Sequence, residues 1–172
     1  MSYPRPELSA TPLLRQIVAM SAATATHSME LPNLAATQTL ATSVAALTRR
    51  GDVILLEGEL GAGKTAFARA FLRAATGDPA LEVPSPTFTL AQSYDTPIGA
   101  VHHFDLWRLE GPSGLMELGW ADACADIVLV EWPDRLGPLR PEAALTVALH
   151  STGADSRRIV LSGWSERLGR IL

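Results

Sequence analysis

Gly58-Glu59-Leu60-Gly61-Ala62-Gly63-Lys64-Thr65 concentrates glycines, one ammonium and one hydroxyl in a single short segment. Glycine reaches backbone angles closed to other residues, so successive N–H groups can turn to one side and make a concavity for an anion. A helix starting at Gly63 adds its partially positive end to the same spot. Lys64 is the only lysine in the chain, and the other thirteen basic residues are all arginine. A loop wrapped tightly round a phosphate has room for a compact ammonium on a flexible stem and little for a planar guanidinium fork. The segment fits G-x-x-x-x-G-K-[ST], the Walker A pattern, at every defined position. The chemistry expected is therefore binding of a nucleoside triphosphate. Lys64 would bridge the β- and γ-phosphates, Thr65 would coordinate Mg²⁺, and the backbone of Glu59, Leu60, Gly61, Ala62, Gly63 and Ala66 would complete the cradle.

Mg²⁺ also takes a carboxylate, directly or through water, from the end of a neighbouring strand. Asp105 follows Val101-His102-His103-Phe104 and Glu131 follows Ile127-Val128-Leu129-Val130. The second run is wholly apolar, as in a central parallel strand, and a charge at its end is costly unless used. Asp105 has a blander reading as a solvated strand-end carboxylate or a partner for Arg108. Pro84-Ser85-Pro86-Thr87-Phe88 offers two hydroxyls in a stiff turn; they could meet Mg²⁺ or the γ-phosphate, or the turn could simply be rigid. His102 and His103 are adjacent in a strand and face opposite sides, so they are not a metal-binding pair. One is expected packed near Asp105 and the other exposed. Trp132 is the tryptophan to watch, because it neighbours Glu131.

These groups need a scaffold. Asn33 is placed to cap a helix carrying Leu34, Thr37, Leu40, Ala41, Val44 and Leu47 at helical spacing, with Gly51 as its stop. Val53 to Leu56 is a short β run leading into the glycine loop, and Lys64 to about Thr76 is a second helix ended by Gly77. Strand, glycine loop, helix is the context the motif requires. Thr87 to Tyr94 and Gly99 to Leu106 read as a hairpin turning at Asp95-Thr96-Pro97-Ile98. Short helical structure over 111–126, the strand Ile127 to Val130, a strand pair at Leu145 to His150 and Arg158 to Ser162, and a helix from Ser165 to Leu172 follow. Residues 133–141 carry no strong pattern. The fold class is α/β, a single domain over about 30–172.

At 172 residues with 47% apolar and 19% charged content, the chain has the composition of a soluble globular protein. A net charge of −4 supplies no global basic field for gripping nucleic acid. A lone cysteine, Cys124, cannot form an internal disulfide; it reads as a small buried hydrophobe in a reduced, cytoplasmic setting. No apolar run is long enough for a membrane helix. Residues 1–29, rich in Ala, Ser, Thr and Pro, are expected to be a loose tail, with the folded domain, and translation with it, expected to begin near Met29. There is no Asn-Lys-x-Asp or Thr-Lys-x-Asp, so the guanine-reading motif of small GTPases is missing and adenine is the expected base.

With Gly58–Thr65, Ser85-Pro86-Thr87-Phe88, His103-Phe104-Asp105-Leu106-Trp107-Arg108-Leu109, Glu117-Leu118-Gly119 and Val130-Glu131-Trp132-Pro133 in this order, the chain resembles the TsaE (YjeE) family, bacterial ATPases of threonylcarbamoyladenosine biosynthesis. The likeness runs from about Leu31 to about Val160. It implies a P-loop NTPase domain with a mixed sheet flanked by helices, using ATP and Mg²⁺ and working with TsaD and TsaB. Those partners place the threonylcarbamoyl group on an adenosine beside the anticodon, so tRNA is met indirectly, and the ATP cycle resets the complex. Carried over by motif, Lys64 and Thr65 hold phosphate and Mg²⁺. Asp105 and Glu131 are the acidic active-site pair, and Ser85 and Thr87 sit in a switch-like turn. Leu34 and Thr37 match the region flanking the base. Trp107 stands where the family commonly has tyrosine, and the tail has no counterpart. Two other readings stay open: a small-metabolite kinase with Arg135 and Arg140 in a lid, and an ATP-gated adaptor that barely hydrolyses.

Overall fold

The structure, a computed structural model, describes residues 26–170. Seven strands form one sheet: β1 (Thr26–Leu31), β2 (Val53–Glu57), β3 (Ala91–Thr96), β4 (Gly99–Asp105), β5 (Ile127–Glu131), β6 (Leu145–Ser151) and β7 (Arg157–Ser162). Their order is β1-β7-β6-β2-β5-β4-β3. The inner four, β6, β2, β5 and β4, are parallel, and β3, β7 and β1 join them antiparallel. The sheet is mixed, as expected. All five residues of β5 are buried, because both faces of a central parallel strand are covered.

Helices α1 (Leu34–Leu47) and α2 (Lys64–Thr76) cover one face. There Leu40, Val44, Phe67 and Phe71 pack with Ile54, Leu56, Ile127 and Leu129. On the other face Val53, Leu55, Phe104, Val128 and Val130 meet Leu115 of α3 (Ser113–Glu117), Trp120 of α4 (Trp120–Ala123) and Leu136 of the 3-10 segment Pro133–Leu139. The alternation of β2 and β5 between these two cores is what sends Glu131 to the α2 face, two residues beyond Leu129.

Several boundaries differ from expectation. Thr26–Met29, assigned to the tail, belong to β1, which pairs residue by residue with β7. The strand is half exposed, alternating from Thr26 to Leu31, so its apolar content is too low to stand out locally. The rest of the expected tail, 1–25, lies outside the described residues. Asn33 caps α1 as expected, accepting from the Ala36 amide at 3.0 Å. The helix then ends at Thr48, whose hydroxyl bonds the Val44 carbonyl at 2.8 Å, and Gly51 turns the chain into β2 afterwards. The hairpin strand starts at Ala91, not Thr87, because Pro86 to Leu90 fold into a turn closed by the Leu90 amide on the Pro86 carbonyl at 2.6 Å. The last helix, α5, spans Ser165–Leu168, and the end of the expected one, 171–172, lies outside the described residues.

Strand register decides where chemistry can happen. Asp105 of β4 lies opposite Glu131 of β5, and Glu131 opposite Leu56 of β2. Both acids therefore end up side by side at the carboxyl edge of the parallel strands, where the glycine loop leaves β2. Crevices at that edge are where open α/β sheets bind ligands.

Candidate functional site

The loop leaves β2 at Gly58 and closes on α2, with Gly58, Gly61 and Gly63 all at positive φ (142°, 81° and 109°). Gly58 is fixed by space as well as by angle, since a Cβ there would lie 2.4 Å from the Leu149 carbonyl oxygen of β6. Gly58→Ala is expected to destabilise the protein by roughly 2–4 kcal/mol. An unchanged urea midpoint would show that the loop is looser than this packing indicates. The amides of Gly61 and Gly63 make no hydrogen bond to another described residue. The first amides of α2 lack helical partners by construction. Amide donors thus face a cleft of about 350 Å³ bordered by Gly61, Gly63, Lys64, Thr65, Ala66 and, across from them, Ser85, Thr87, Asp105 and Glu131.

Lys64 opens α2 and is only 5% exposed. Its Nζ donates to the carbonyls of Gly58 (2.7 Å) and Glu59 (2.8 Å) and stands 3.6 Å above the Trp132 ring. Burial pushes its pKa below the ordinary lysine value, against the pull of Glu131, Glu59 and Asp105. The cost of the buried charge is present at neutral pH and is relieved only as pH rises from that lowered value towards 10.5. An anion in the cleft would relieve it without deprotonation.

The acids are buried too, Asp105 at 3% and Glu131 at 2% exposure. Glu131 Oε2 accepts from Thr65 Oγ1 at 2.8 Å, and Oε1 is 2.9 Å from His103 Nε2. Asp105 Oδ2 accepts from Thr87 Oγ1 at 2.7 Å and Ser85 Oγ at 3.1 Å, and Oδ1 accepts from the Trp107 amide at 3.0 Å. The Ser85–Thr87 turn is therefore tied to Asp105, and the reading of Asp105 as a solvated strand end fails. Arg108 is no partner for it either, lying instead over the Phe88 ring at 4.5 Å. Among the described residues no three His, Cys, Asp or Glu side chains converge on a metal position. The donor set of one hydroxyl and two carboxylates still suits Mg²⁺, which keeps waters and phosphate oxygens as its remaining ligands.

Not every other expected site residue borders the cleft. Neither Leu34 nor Thr37 lines the cleft: Leu34 is exposed at the start of α1, and Thr37 is turned into its buried face. Glu59 points its carboxylate at the Ser151 amide, 2.9 Å away, which holds its pKa low. Leu60 lines the cleft but is exposed, and Ala62 is fully buried behind it. The histidines do face opposite sides, yet His103 meets Glu131 and not Asp105, while His102 bonds Ser93 at 2.8 Å. Trp107 borders the cleft, its ring 4.3 Å from that of Trp132. Trp132 takes a left-handed backbone at φ 61°, uncommon for a bulky residue, directly after Glu131. Only its position beside the acid hinted at this role. Cys124 is half-buried against the second core, and burial raises its thiol pKa, which disfavours the thiolate.

The family model described as "Threonylcarbamoyl adenosine biosynthesis protein TsaE" matches residues 31–159. The chain belongs to the TsaE family. It is 35% identical over 122 residues to the tRNA threonylcarbamoyladenosine biosynthesis protein TsaE of Rickettsia bellii, covering 70% of this chain and 84% of that protein. The Bacillus subtilis TsaE is 33% identical over 131 residues, 76% of this chain and 82% of its own length. Among solved structures the chain is similar to Bacillus subtilis YdiB, with a TM-score of 0.72 at 25% identity over 88% of this chain and 97% of that one. The TsaE match spans the loop, both acids and the Ser85–Thr87 turn, so the site lies wholly within the family region. No helix among the described residues is long and apolar enough to cross a membrane.

Proposed function

We propose that this TsaE-family protein binds and hydrolyses Mg-ATP in support of tRNA threonylcarbamoyladenosine formation by a TsaD/TsaB partner complex, in the cytoplasm. The observation that carries the reading is the chain's single lysine, buried beside Thr65 at the mouth of a glycine loop whose facing wall carries Glu131 and Asp105. Burying that ammonium costs free energy that its bonds to two loop carbonyls offset only in part, and a triphosphate would supply the missing counter-charge.

In the reaction water attacks the γ-phosphorus, the bond to the bridging oxygen breaks, and ADP and phosphate leave. The transition state spreads negative charge over the transferring group, so preorganised donors matter most. Lys64 and the loop amides supply them. Glu131 is held by Thr65 and His103, which leaves its carboxylate fixed at the cleft floor to orient the attacking water. Asp105, anchored to Ser85 and Thr87, couples the opposite turn to the same floor. Thr65, with Glu131 and Asp105, would hold Mg²⁺, which would supply charge neutralisation to the phosphates.

The rim favours a partner. Phe88 (82% exposed) and Trp107 (46% exposed) flank Arg108 beside the cleft. A kinase lid finds less support, because Arg140 is held by Glu57 at 2.5 Å and Thr146 at 3.1 Å and does not line the cleft. Phosphate release from ATP, measured for the chain alone and with TsaD and TsaB added, tests the proposal. The expected result is slow release alone and clear stimulation by the partners. A phosphorylated small alcohol, or equal rates with and without partners, would overturn it.

A further inference from the structure

The outer side of the glycine loop, away from the cleft, rests on the hairpin of β6 and β7. Arg157, the first residue of β7, makes that contact. Its Nε donates to the Ala62 carbonyl at 2.8 Å and its Nη2 reaches the Gly61 carbonyl at 3.5 Å. Nη1 donates to the carbonyls of Ser156 (2.8 Å), Gly153 (3.3 Å) and Ala154 (3.4 Å). Among the described residues no carboxylate pairs with this guanidinium. Its donors are spent on main-chain oxygens, those of the hairpin on one side and those of the loop on the other.

A trans peptide is planar, with its C=O and N–H pointing opposite ways. The Ala62 carbonyl and the Gly63 amide belong to one such unit. A donor that holds the carbonyl on the outside therefore aims the amide inwards, at the cleft. Gly63 needs this help, because glycine populates many backbone angles and nothing in its own side chain selects φ 109°. A cation on the carbonyl also polarises the N–H at the far end of the unit. Arg157 itself does not line the cleft.

We propose that Arg157 is a positioning residue for the phosphate loop: from behind, it locks the Ala62–Gly63 peptide so that the Gly63 amide is presented to the phosphates of a bound nucleotide. The inference rests on the nucleotide reading of the cleft and names a residue that this reading does not require.

The test uses the full chain, with calorimetric titration of Mg-ATP and Mg-ADP and the amide resonance of Gly63 recorded without nucleotide. Arg157→Ala is expected to weaken both nucleotides about tenfold, the scale of a lost charge-assisted hydrogen bond. The Gly63 amide should shift and exchange faster while the β5 amides keep their protection. Arg157→Lys should recover only a small part of the affinity, because an ammonium restores charge but cannot span hairpin and loop together. Arg157→Gln, which retains one short donor, serves if the alanine variant does not fold, and should fall between wild type and alanine. Affinity within twofold of wild type in a folded Arg157→Ala or Arg157→Gln protein overturns the proposal. So does full rescue by lysine, or an affinity loss with the Gly63 amide unmoved. If the wild-type chain binds neither nucleotide, the nucleotide reading falls and takes this inference with it; if wild type binds and the variants bind equally, only the inference falls.

Discussion

Lys64→Ala will weaken Mg-ATP binding severely and, with it, cut turnover in the reconstituted complex. The ammonium is the one lysine charge in the chain and sits 5% exposed between the loop carbonyls and the Trp132 ring. Of the other cations near the loop, Arg108 borders the cleft over the Phe88 ring, and Arg157 reaches the loop from behind. A charge-assisted contact to phosphate in a water-poor cleft contributes about 3 kcal/mol or more, so affinity should fall by a factor of roughly 100. Thermal unfolding gives a readout independent of activity. Mg-ATP at about one hundred times its dissociation constant should raise the wild-type midpoint by roughly 5–10 °C. The same nucleotide concentration should move the Lys64→Ala midpoint by less than about 2 °C. A variant that still hydrolyses ATP normally would show that the loop is not the phosphate site.

Glu131→Gln should separate chemistry from binding. Glutamine keeps the size of the side chain and can still accept from Thr65 or meet His103, so the cleft floor persists while the negative charge goes. Hydrolysis is expected to fall by about 10²–10⁴, the range for losing a group that acts in the transition state. Nucleotide affinity should change by less than about fivefold, since binding rests on the loop amides and Lys64. Asp105→Asn should also lower turnover more than affinity, by a different route. Both oxygens of Asp105 accept hydrogen bonds, from Thr87, Ser85 and the Trp107 amide, so an amide group there turns a donor against donors and loosens the turn. Single-turnover phosphate release alongside equilibrium titration distinguishes these outcomes. Equal losses of affinity and turnover in Glu131→Gln would place that carboxylate in ground-state binding instead.

The exposed rim bears on both experiments. Phe88 and Trp107 present apolar surface next to the reacting end of the cleft, and Arg108 lies over Phe88. Measurements on the isolated chain should therefore understate the turnover losses, because the wild-type rate alone is expected to be low. Affinity and thermal midpoints are the more discriminating readouts without partners.

Contiguous chemistry was legible before any fold was known. The motif from Gly58 to Thr65, and the strand and helix that flank it, are written in neighbouring residues. The same holds for Asn33 capping α1 and for the buried run Ile127 to Val130. Contacts between distant segments were not legible, because nothing local encodes which strands lie side by side or in what register. That Asp105 sits opposite Glu131 and that His103 meets Glu131 follow from the parallel pairing of β4 with β5, and Thr87 reaches Asp105 because the chain turns between Pro86 and Leu90 before β3 begins. β1 escaped notice because an edge strand with one face in solvent buries too little to mark itself. Arg157 was one arginine among thirteen until β7 carried it behind the loop, a closeness in space between residues far apart in the chain. Residue type and spacing thus set what the phosphate loop can hold, whereas packing of the sheet chose which side chains face it, since side-chain orientation across strands exists only once the strands have paired.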